Sequence, residues 1–228
     1  MTLVTPTSPP EEKTTAERAY RLLREDIVSG ALTPGQKLKI EMLRTRYDIG
    51  SGPIREALAR LAGEYLVEIL GQRGFVVAAF SARDAREIGD MRKMVEAEAL
   101  ALSIPLGDAA WEEKVITTFH RLERLETTER QGVEEMARWE GLNQAFHEAL
   151  VAACPSVWLL RTRASMFAHH ERFRRLSRIR TVLTREIHTE HRALMTAALD
   201  KDVETATTII RTHVERTTTA VVAAIKAG

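Results

Sequence analysis

The stretch YDIGSGPIREALARLAGEYLVEILGQRGFVV, residues 47–77, decides the fold of the N-terminal part of the chain. Within it, Ile54, Leu58 and Leu61 recur at helical spacing, which predicts a short helix with one buried face. Pro53 falls in the first turn of this helix, where the N–H that proline lacks would have no helical partner in any case. We therefore expect a helix that begins just before Pro53.

Ser51 or Gly52 is the expected N-cap of this helix, and Gly63 weakens the helix near its C-terminal end. Beyond that end the sequence pattern changes. The runs LVEIL and FVV that follow are short and β-type, and GQRG at residues 71–74 separates them. The two glycines of this tip are free to adopt positive φ, as tight hairpin turns require. The sequence therefore predicts a β-hairpin.

Two further helices are predicted before the quoted stretch. Ala19, Leu23 and Ile27 recur on one face, and Gly30 follows them as a helix stop. The segment LTPGQKL is predicted to be a turn, and residues 41–47 to be a short second helix. Two helices joined by a tight turn and followed by a hairpin describe a winged helix-turn-helix.

Beyond residue 80 the pattern is helical to the end of the chain. We therefore predict a mainly α protein, in which an N-terminal winged helix-turn-helix over residues 15–80 precedes an all-α helical bundle over residues 81–228. Residues 1–14 are rich in Thr, Pro and Glu without an apolar period, which predicts a disordered tail. The expected helices of the bundle are 82–104, 108–128, 132–153, 156–178, 182–199 and 202–226.

The composition excludes several classes of protein. With 228 residues, 44% hydrophobic and 29% charged, the chain resembles a globular protein with a buried core. Its single cysteine, Cys154, excludes a disulfide framework and a cysteine-rich zinc ribbon, and it is expected to be a small buried residue. No apolar run approaches the roughly 20 residues of a membrane span, and the N-terminus lacks the pattern of a secretory signal. We expect a cytoplasmic protein without a membrane partner.

The helix that begins near Pro53 is the candidate DNA-reading element. Opposite its buried face it carries the small residues Gly52, Ala59 and Gly63, which would let it lie deep in a major groove about 12 Å wide. On its flank, Arg55 is placed to reach a phosphate or a base edge. The alternative is a purely structural helix pair, with Arg55 and its neighbour Glu56 forming a surface ion pair. Further basic candidates are Lys37, Lys39, Arg44 and Arg46 for phosphates, and Arg73 of the hairpin tip for the minor groove.

A family resemblance strengthens the DNA-binding interpretation. The runs ALTPGQKL, GPIREALARL and GQRGFVV resemble the DNA-binding half of GntR-type bacterial repressors, and the helical remainder looks like their FCD effector domain, as in the FadR subfamily. The resemblance implies a homodimer that binds a short palindromic operator in double-stranded DNA and is released by a small metabolite. It places Ser51, Pro53 and Arg55 in the recognition segment, and Arg73 with Gly74 in the wing.

One departure from the family pattern concerns the operator sequence. Many members carry Ser-Arg-Thr-Pro where this chain reads Gly50-Ser51-Gly52-Pro53. The missing arginine removes a common phosphate or guanine contact. The operator of better-known relatives therefore does not transfer to this chain.

Histidines on three predicted helices are candidate metal ligands. Asn143 and His147 are four residues apart and share a helical face, whereas His191 and His213 belong to two later helices. Their side chains would converge on a divalent cation if those helices bundle. By spacing alone this stays open, since a histidine on an amphipathic helix is more often a core or surface group.

The resemblance implies a metal site more strongly than the spacing does. FCD domains often hold zinc or a similar divalent ion with one Asp and three His, in an Asp-x-x-Phe-His motif, a later Glu-His and a final helical His. His147, His191 and His213 match this pattern, whereas Asn143 replaces the Asp. An amide oxygen carries no charge, but neutral three-histidine sites do bind zinc.

The effector is expected to contact an arginine. MRKMVEAEAL resembles the family segment whose arginine points into the ligand cavity, and this places Arg92 there. A guanidinium offers paired donors that suit a carboxylate. The resemblance thus implies a small carboxylic acid held by Arg92 with Glu96 and the histidine cluster. Without the resemblance, a surface ion pair between Arg92 and Glu96 at i,i+4 is the simpler interpretation.

Two other functions are alternatives to a ligand-responsive repressor. A helical metalloenzyme would use His147, His191 and His213, but no HExxH motif and no Ser or Cys nucleophile elbow accompanies them. An RNA-binding adaptor would use the seven arginines between residues 161 and 180, although such a run is usually the solvated face of a helix. A dimer contact or a lining for an anionic ligand is a further interpretation of the run at residues 169–180. The sequence therefore predicts a DNA-binding regulator and no enzyme.

Overall fold

The computed structural model describes residues 14–71, 74–79, 81–127, 133–176 and 185–227. The chain divides into two compact units, Met1–Ala79 and Phe80–Gly228. The predicted tail, apart from Thr14, and the predicted wing contact Arg73 lie outside the described residues. Within these ranges, no helix combines the length and the apolar composition that a membrane span requires.

The first unit contains three helices and a small antiparallel sheet among its described residues. The strand Phe75–Val77 lies in the middle of this sheet and is hydrogen-bonded to Lys37–Leu38 on one side and to Val67–Ile69 on the other. The apolar faces of the helices and of the sheet share one core, in which Leu23, Leu43 and Leu58 are completely buried. Its elements are α1 (Thr15–Ser29), β1 (Lys37–Leu38), α2 (Ile40–Tyr47), α3 (Ser51–Gly63), β2 (Val67–Ile69) and β3 (Phe75–Val77).

The ends of α1 and α3 have identifiable causes. The Thr14 side chain caps α1 by accepting from the Glu17 N–H, and Gly30 ends it with a left-handed φ of 85°. Helix α3 has Gly50 as its N-cap, with no side-chain cap hydrogen bond. The expectation that Ser51 or Gly52 caps α3 is therefore wrong, because Ser51 is already the first helical residue.

The wing has three strands, one more than the sequence predicted. Gly71 (φ 57°) and Gly74 (φ 92°) both have positive φ, as expected for a glycine-containing hairpin tip. However, Lys37 and Leu38 form β1 instead of continuing the predicted turn, and they pair with Val76 and Phe75 of β3. The pairing joins segments almost forty residues apart, so local turn signals could not reveal it.

The second unit is helical throughout its described residues. Helices α4 (Ala82–Ser103) and α9 (Val203–Ala227) pack so closely that only a glycine fits at position 89 of α4. A Cβ there would lie 2.9 Å from Thr218 Cβ and closer still to the Thr218 Oγ1 and Cγ2 atoms. The main core lies between α4, α5, α6, α8 and α9, and Cys154 is buried in it, as predicted. The helices are α4 (Ala82–Ser103), α5 (Ala109–Glu126), α6 (Val133–Leu150), α7 (Val157–Leu176), α8 (Arg185–Leu199) and α9 (Val203–Ala227), with a short 3₁₀ turn at Ile104–Leu106.

The fold class predicted from the sequence is confirmed. The described chain is mainly α-helical, with a small sheet confined to the first unit. Helix boundaries in the second unit lie within a few residues of the predicted ones.

Candidate DNA interface and ligand centre

Helix α3 has the two opposite faces that its sequence predicts. Ile54, Leu58 and Leu61 are completely buried in the core of the first unit. Gly52 and Gly63 are exposed, and the space around them is open: a Cβ at either position would meet nothing within 4 Å. The solvent face of α3 is thus narrow and free of obstruction, as a helix in a groove requires.

The basic residues near α3 differ in how far they are already engaged. Arg55 is exposed and, within the described part of the chain, makes no hydrogen bond or ion pair; the alternative pair with Glu56 is not formed. Arg44 donates to Glu41 Oε2 at 2.8 Å. Arg46 Nη2 lies 2.6 Å from the Asp26 carboxylate, which also accepts from the Tyr47 hydroxyl. Arg55 is therefore the more available cation, and Arg44 and Arg46 would have to exchange partners to reach phosphates.

The remaining predicted DNA contacts belong to the start of α3, to the segment around β1 and to the wing tip. Ser51 and Gly52 are exposed at its N-terminus and Pro53 is half-buried. Lys37 and Lys39 are exposed at β1, and among the described residues neither side chain has a polar partner. Gly74 follows the wing tip, whereas Arg73 lies outside the described residues.

The second unit brings three histidines from three helices together in its interior. His147 of α6, His191 of α8 and His213 of α9 are buried, and one ligand atom from each lies within 4.8 Å of the others. Their ring centroids are 5.0–5.5 Å apart. Asn143, one turn before His147 on α6, is also buried. The geometry thus brings together the three histidines that the sequence proposed as metal ligands.

Several polar atoms of this cluster have no hydrogen-bond partner among the described residues. These buried atoms are Asn143 Oδ1, His147 Nε2 and His191 Nε2. Because buried polar atoms are almost always paired, such a concentration at one place points to a bound species. Imidazole nitrogens and an amide oxygen are suitable donors for zinc or a similar divalent ion.

Carboxylates orient two of the three histidines. His191 Nδ1 lies 3.0 Å from Glu126 Oε1, which also accepts from the Trp139 indole N–H at 2.9 Å. His213 Nδ1 lies 2.8 Å from Glu190 Oε2. A proton held on Nδ1 by a carboxylate leaves the Nε2 lone pair free for a ligand. The sequence did not single out Glu126 or Glu190, although Glu190 stands in the Glu-His pair of the motif.

The electrostatic environment keeps His147 and His213 neutral. Burial, together with the neighbouring His213 and His191, lowers the pKa of His147 well below its usual value. Burial also lowers the pKa of His213 to about 4, against the opposing effect of Glu190. Neutral imidazole is the form that binds metal ions, so these two histidines have the protonation state of metal ligands at neutral pH.

Arg92 lies in the interior of the second unit, on α4. Its Nε donates to Glu96 Oε1 at 3.3 Å, and its Nη1 lies 2.8 Å from His170 Nδ1. Both Arg92 and Glu96 are 1% exposed. The interpretation as a surface ion pair is therefore wrong: the pair forms, but in the core. Burial lowers the pKa of Arg92 to about 10, and Glu96 opposes this, so the guanidinium stays charged at neutral pH.

Helix α7 adds polar residues that the sequence analysis did not predict. Arg163 Nε donates to Glu96 Oε2 at 2.7 Å. Arg174 donates to both Glu140 oxygens, at 3.1 and 2.6 Å. Its Nη1 also lies 2.9 Å from His170 Nδ1, the atom that Arg92 reaches. We refer to Arg92, Arg163 and Arg174, whose Cζ atoms all lie within 5.5 Å of the Phe167 ring centroid, as the buried arginine cluster.

The arrangement fixes the state of His170. Its Nδ1 lies against two guanidiniums, which have only protons to offer, so this nitrogen accepts hydrogen bonds. Nε2 therefore carries the proton and donates to Thr218 Oγ1 at 3.0 Å. Burial and both arginines accordingly lower the pKa of His170 well below its usual value.

The predicted solvated face of α7 is wrong for the residues that the structure describes. Arg163, Arg172 and Arg174 are 3%, 2% and 7% exposed. Only Arg161 of the described arginines in this run is well exposed, and residues 178 and 180 lie outside the description. The sequence does contain a sign of this burial: Arg163, Phe167, His170 and Arg174 follow one another at spacings of four, three and four and therefore share one face of α7. Counting the charges of the run does not reveal this shared face.

Two family models match the chain. One is described as bacterial regulatory proteins, gntR family, and matches residues 15–77; the other is the FCD domain and matches residues 87–216. Together they cover both units.

Individual relatives agree with these matches. The chain is 42% identical over 200 residues to the HTH-type transcriptional regulator BphR of Paraburkholderia xenovorans (strain LB400), covering 87% of this chain and 82% of BphR. It is 38% identical over 199 residues to the HTH-type transcriptional repressor GlaR of Escherichia coli (strain K12), covering 85% of this chain and 90% of GlaR. The crystal structure of a GntR family regulator from Pseudomonas syringae pv. tomato str. DC3000 has a TM-score of 0.56 at 28% identity, covering 96% of this chain and 89% of that one.

Proposed function

The chain belongs to the gntR family of bacterial regulatory proteins and carries an FCD domain, and from this premise we propose that it is a ligand-responsive repressor. It binds palindromic operator DNA as a homodimer in the cytoplasm and is released by a small carboxylic acid. The family and the relatives are transcription regulators, not enzymes, so the metalloenzyme alternative is wrong.

The DNA-binding part of the proposal is assigned to residues 15–80. The exposed small face of α3 and the unengaged cation Arg55 support it. A helix of this kind reads base edges while neighbouring bases hold the phosphates. The proposed DNA contacts are Lys37, Arg44, Arg46, Ser51, Gly52, Pro53, Arg55, Arg73 and Gly74.

The effector-binding part is assigned to residues 81–228. The observation that carries it is the set of unpartnered donor atoms in the buried histidine cluster, with a charged Arg92 in the same interior. A divalent ion held there would accept an oxygen of an acidic ligand, and Arg92, whose Nη2 has no hydrogen-bond partner among the described residues, would donate to a carboxylate. The proposed metal ligands are Asn143, His147, His191 and His213, and the proposed effector contacts are these four with Arg92 and Glu96.

Repression and dimerisation are proposed on separate grounds from DNA binding. The relative GlaR is named a repressor, and we extend that activity to this chain. A two-fold operator is matched by a two-fold protein, since each half-site takes one recognition helix. Binding of the acid would then shift the equilibrium towards a state with lower operator affinity.

One experiment tests the proposal as a whole. Tag-free protein selects duplexes from a random pool, and gel shifts on the selected operator then follow release by a panel of carboxylic acids. We expect palindromic sequences and release by at least one acid, with metal analysis showing about one divalent ion per chain. Selection of no common sequence would contradict DNA recognition, and release by none of the acids would contradict the effector class.

A further inference from the structure

The surroundings of Glu96 bring two guanidiniums to a single carboxylate. Arg92 and Arg163 share one carboxylate, with Glu96 Oε1 3.3 Å from Arg92 Nε and Glu96 Oε2 2.7 Å from Arg163 Nε. His170, which accepts from Arg92, is neutral. Two guanidiniums thus face one carboxylate, although Arg163 is 4% and Arg92 and Glu96 are 1% exposed in their side chains. A buried excess of charge is costly unless another group neutralises it.

Each of these two arginines also has a buried terminal nitrogen. Within the part of the chain that the structure describes, Arg92 Nη2 and Arg163 Nη2 make no hydrogen bond. Buried N–H groups are rarely left unpaired, and the two come from different helices, α4 and α7, that meet at Glu96. The pair therefore offers donors and a net positive charge to the same small region.

Phe167 lies beside both this pair and the histidine cluster. Its ring centroid is 5.8 Å from that of His147, 4.4 Å from Arg92 Cζ and 5.5 Å from Arg163 Cζ. An apolar ring borders the two polar regions, and it is a suitable contact for a hydrocarbon segment.

From these contacts we propose that Arg92 and Arg163 form a second anion site, so that the effector is a dianion: one carboxylate at the histidine cluster, one at the arginine pair, and a short carbon chain against Phe167. The inference rests on the proposed function, because it takes the histidine cluster as the site of the first carboxylate. It adds Arg163 to the ligand contacts and narrows the acid to a short dicarboxylate.

The test compares acids that differ in one charge. Calorimetry on tag-free, zinc-loaded full-length protein measures the Kd of the linear dicarboxylates from malonate to adipate, and of the monomethyl ester of each. The best diacid is expected to bind about 10- to 100-fold more tightly than its monoester, as for one charge-assisted hydrogen-bonded pair. Equal affinities would overturn the proposal, and this comparison needs no variant.

A substitution then locates the second charge. In Arg163→Gln the diacid is expected to bind no better than the monoester, whereas Arg161→Gln, the exposed arginine on the same helix, should keep the wild-type preference. Thermal melting and operator binding report whether Arg163→Gln is folded; if it is not, Arg163→Lys replaces it and should lose part of the preference. A folded variant that retains the full preference for the diacid would overturn the assignment of Arg163.

The outcomes separate the two proposals. If monoacids bind and release the operator as well as diacids do, the proposed function stands and the second anion site fails. If neither class binds or releases DNA, the carboxylic acid effector itself is wrong, and the second anion site fails with it.

Discussion

Because α4 packs closely against α9, we expect a single added methyl group at their contact to lower the stability of the protein. Gly89 of α4 faces Thr218 of α9, and a Cβ at position 89 would lie 2.9 Å from Thr218 Cβ, whereas carbon atoms in contact are normally 3.5–4.0 Å apart. Thr218 has little freedom to move, because its Oγ1 accepts from His170 Nε2 and donates to the Val214 carbonyl at 2.7 Å. In Gly89→Ala the two helices must therefore separate locally by several tenths of an ångström or more.

The change in unfolding free energy of Gly89→Ala is the difference between two opposing effects. Overpacking of a close-packed interior costs about 1–3 kcal/mol, and the better helix propensity of alanine returns about 0.5–1 kcal/mol. The net loss of unfolding free energy is then about 0–2.5 kcal/mol, with a middle value of about 1 kcal/mol. A chain of this size loses about 2–4 °C of Tm per kcal/mol, so we expect the Tm to fall by about 2–4 °C.

Thermal unfolding of the full chain, followed by circular dichroism, measures this loss. Gly141→Ala is the matched control, since Gly141 is an exposed glycine of α6 whose Cβ would meet nothing within 4 Å. That change should raise the Tm slightly, because only the propensity effect operates. A Gly89→Ala protein as stable as Gly141→Ala would refute the argument from close packing.

Three other predictions concern DNA, metal and pH. Arg55→Ala should weaken operator binding by about 1–3 kcal/mol in a gel shift, because it removes the cation that lies unengaged on the flank of α3. Glu126→Gln should lower zinc affinity about 10- to 100-fold in a chelator competition, because Glu126 orients His191 through its Nδ1. His170→Gln should flatten the dependence of stability on pH below about 6.5. The native state holds His170 neutral with a lowered pKa, whereas the unfolded chain protonates it near 6.5, so stability falls on acidification by up to about 1.4 kcal/mol per pH unit.

Each of these has an outcome that would contradict it. An unchanged gel shift would remove Arg55 from the interface, provided that the variant melts like the wild type. Zinc affinity that is equal in Glu126→Gln and wild type would mean that the carboxylate does not position His191. A glutamine at position 170 keeps an acceptor and a donor without titrating, so identical pH profiles of its unfolding free energy and that of the wild type would show that His170 is not held neutral.

The fold could be predicted from the sequence where the signal is local. The spacing of Ile54, Leu58 and Leu61 gave the buried face of α3, and the glycines of the 71–74 tip gave the hairpin. Lys37 and Leu38 could not be assigned to a strand, because β1 exists only through its pairing with β3, far along the chain.

The candidate site could be predicted in part. The three histidines came from spacing and family pattern, and the structure brings them together. The buried Arg163 and Arg174 of α7 could not be predicted from charge, because arginine is usually exposed. Their burial depends on Glu96 and Glu140, which lie on other helices and become partners only in the folded chain.

With Asn143 in place of the usual Asp, the proposed metal site has one negative charge fewer than the family pattern. Asn143 supplies an oxygen donor without a charge, so an ion held by this residue and three neutral histidines would keep its whole charge uncompensated by its ligands. Glu126 and Glu190 each contact a histidine Nδ1 instead. Arg92 and Arg163, with one shared carboxylate, add a further positive charge. Glu126 and Glu190 bring two carboxylates to the histidines, so on our proposals the negative charge of the effector is required chiefly around Glu96, where Arg92 and Arg163 share one carboxylate.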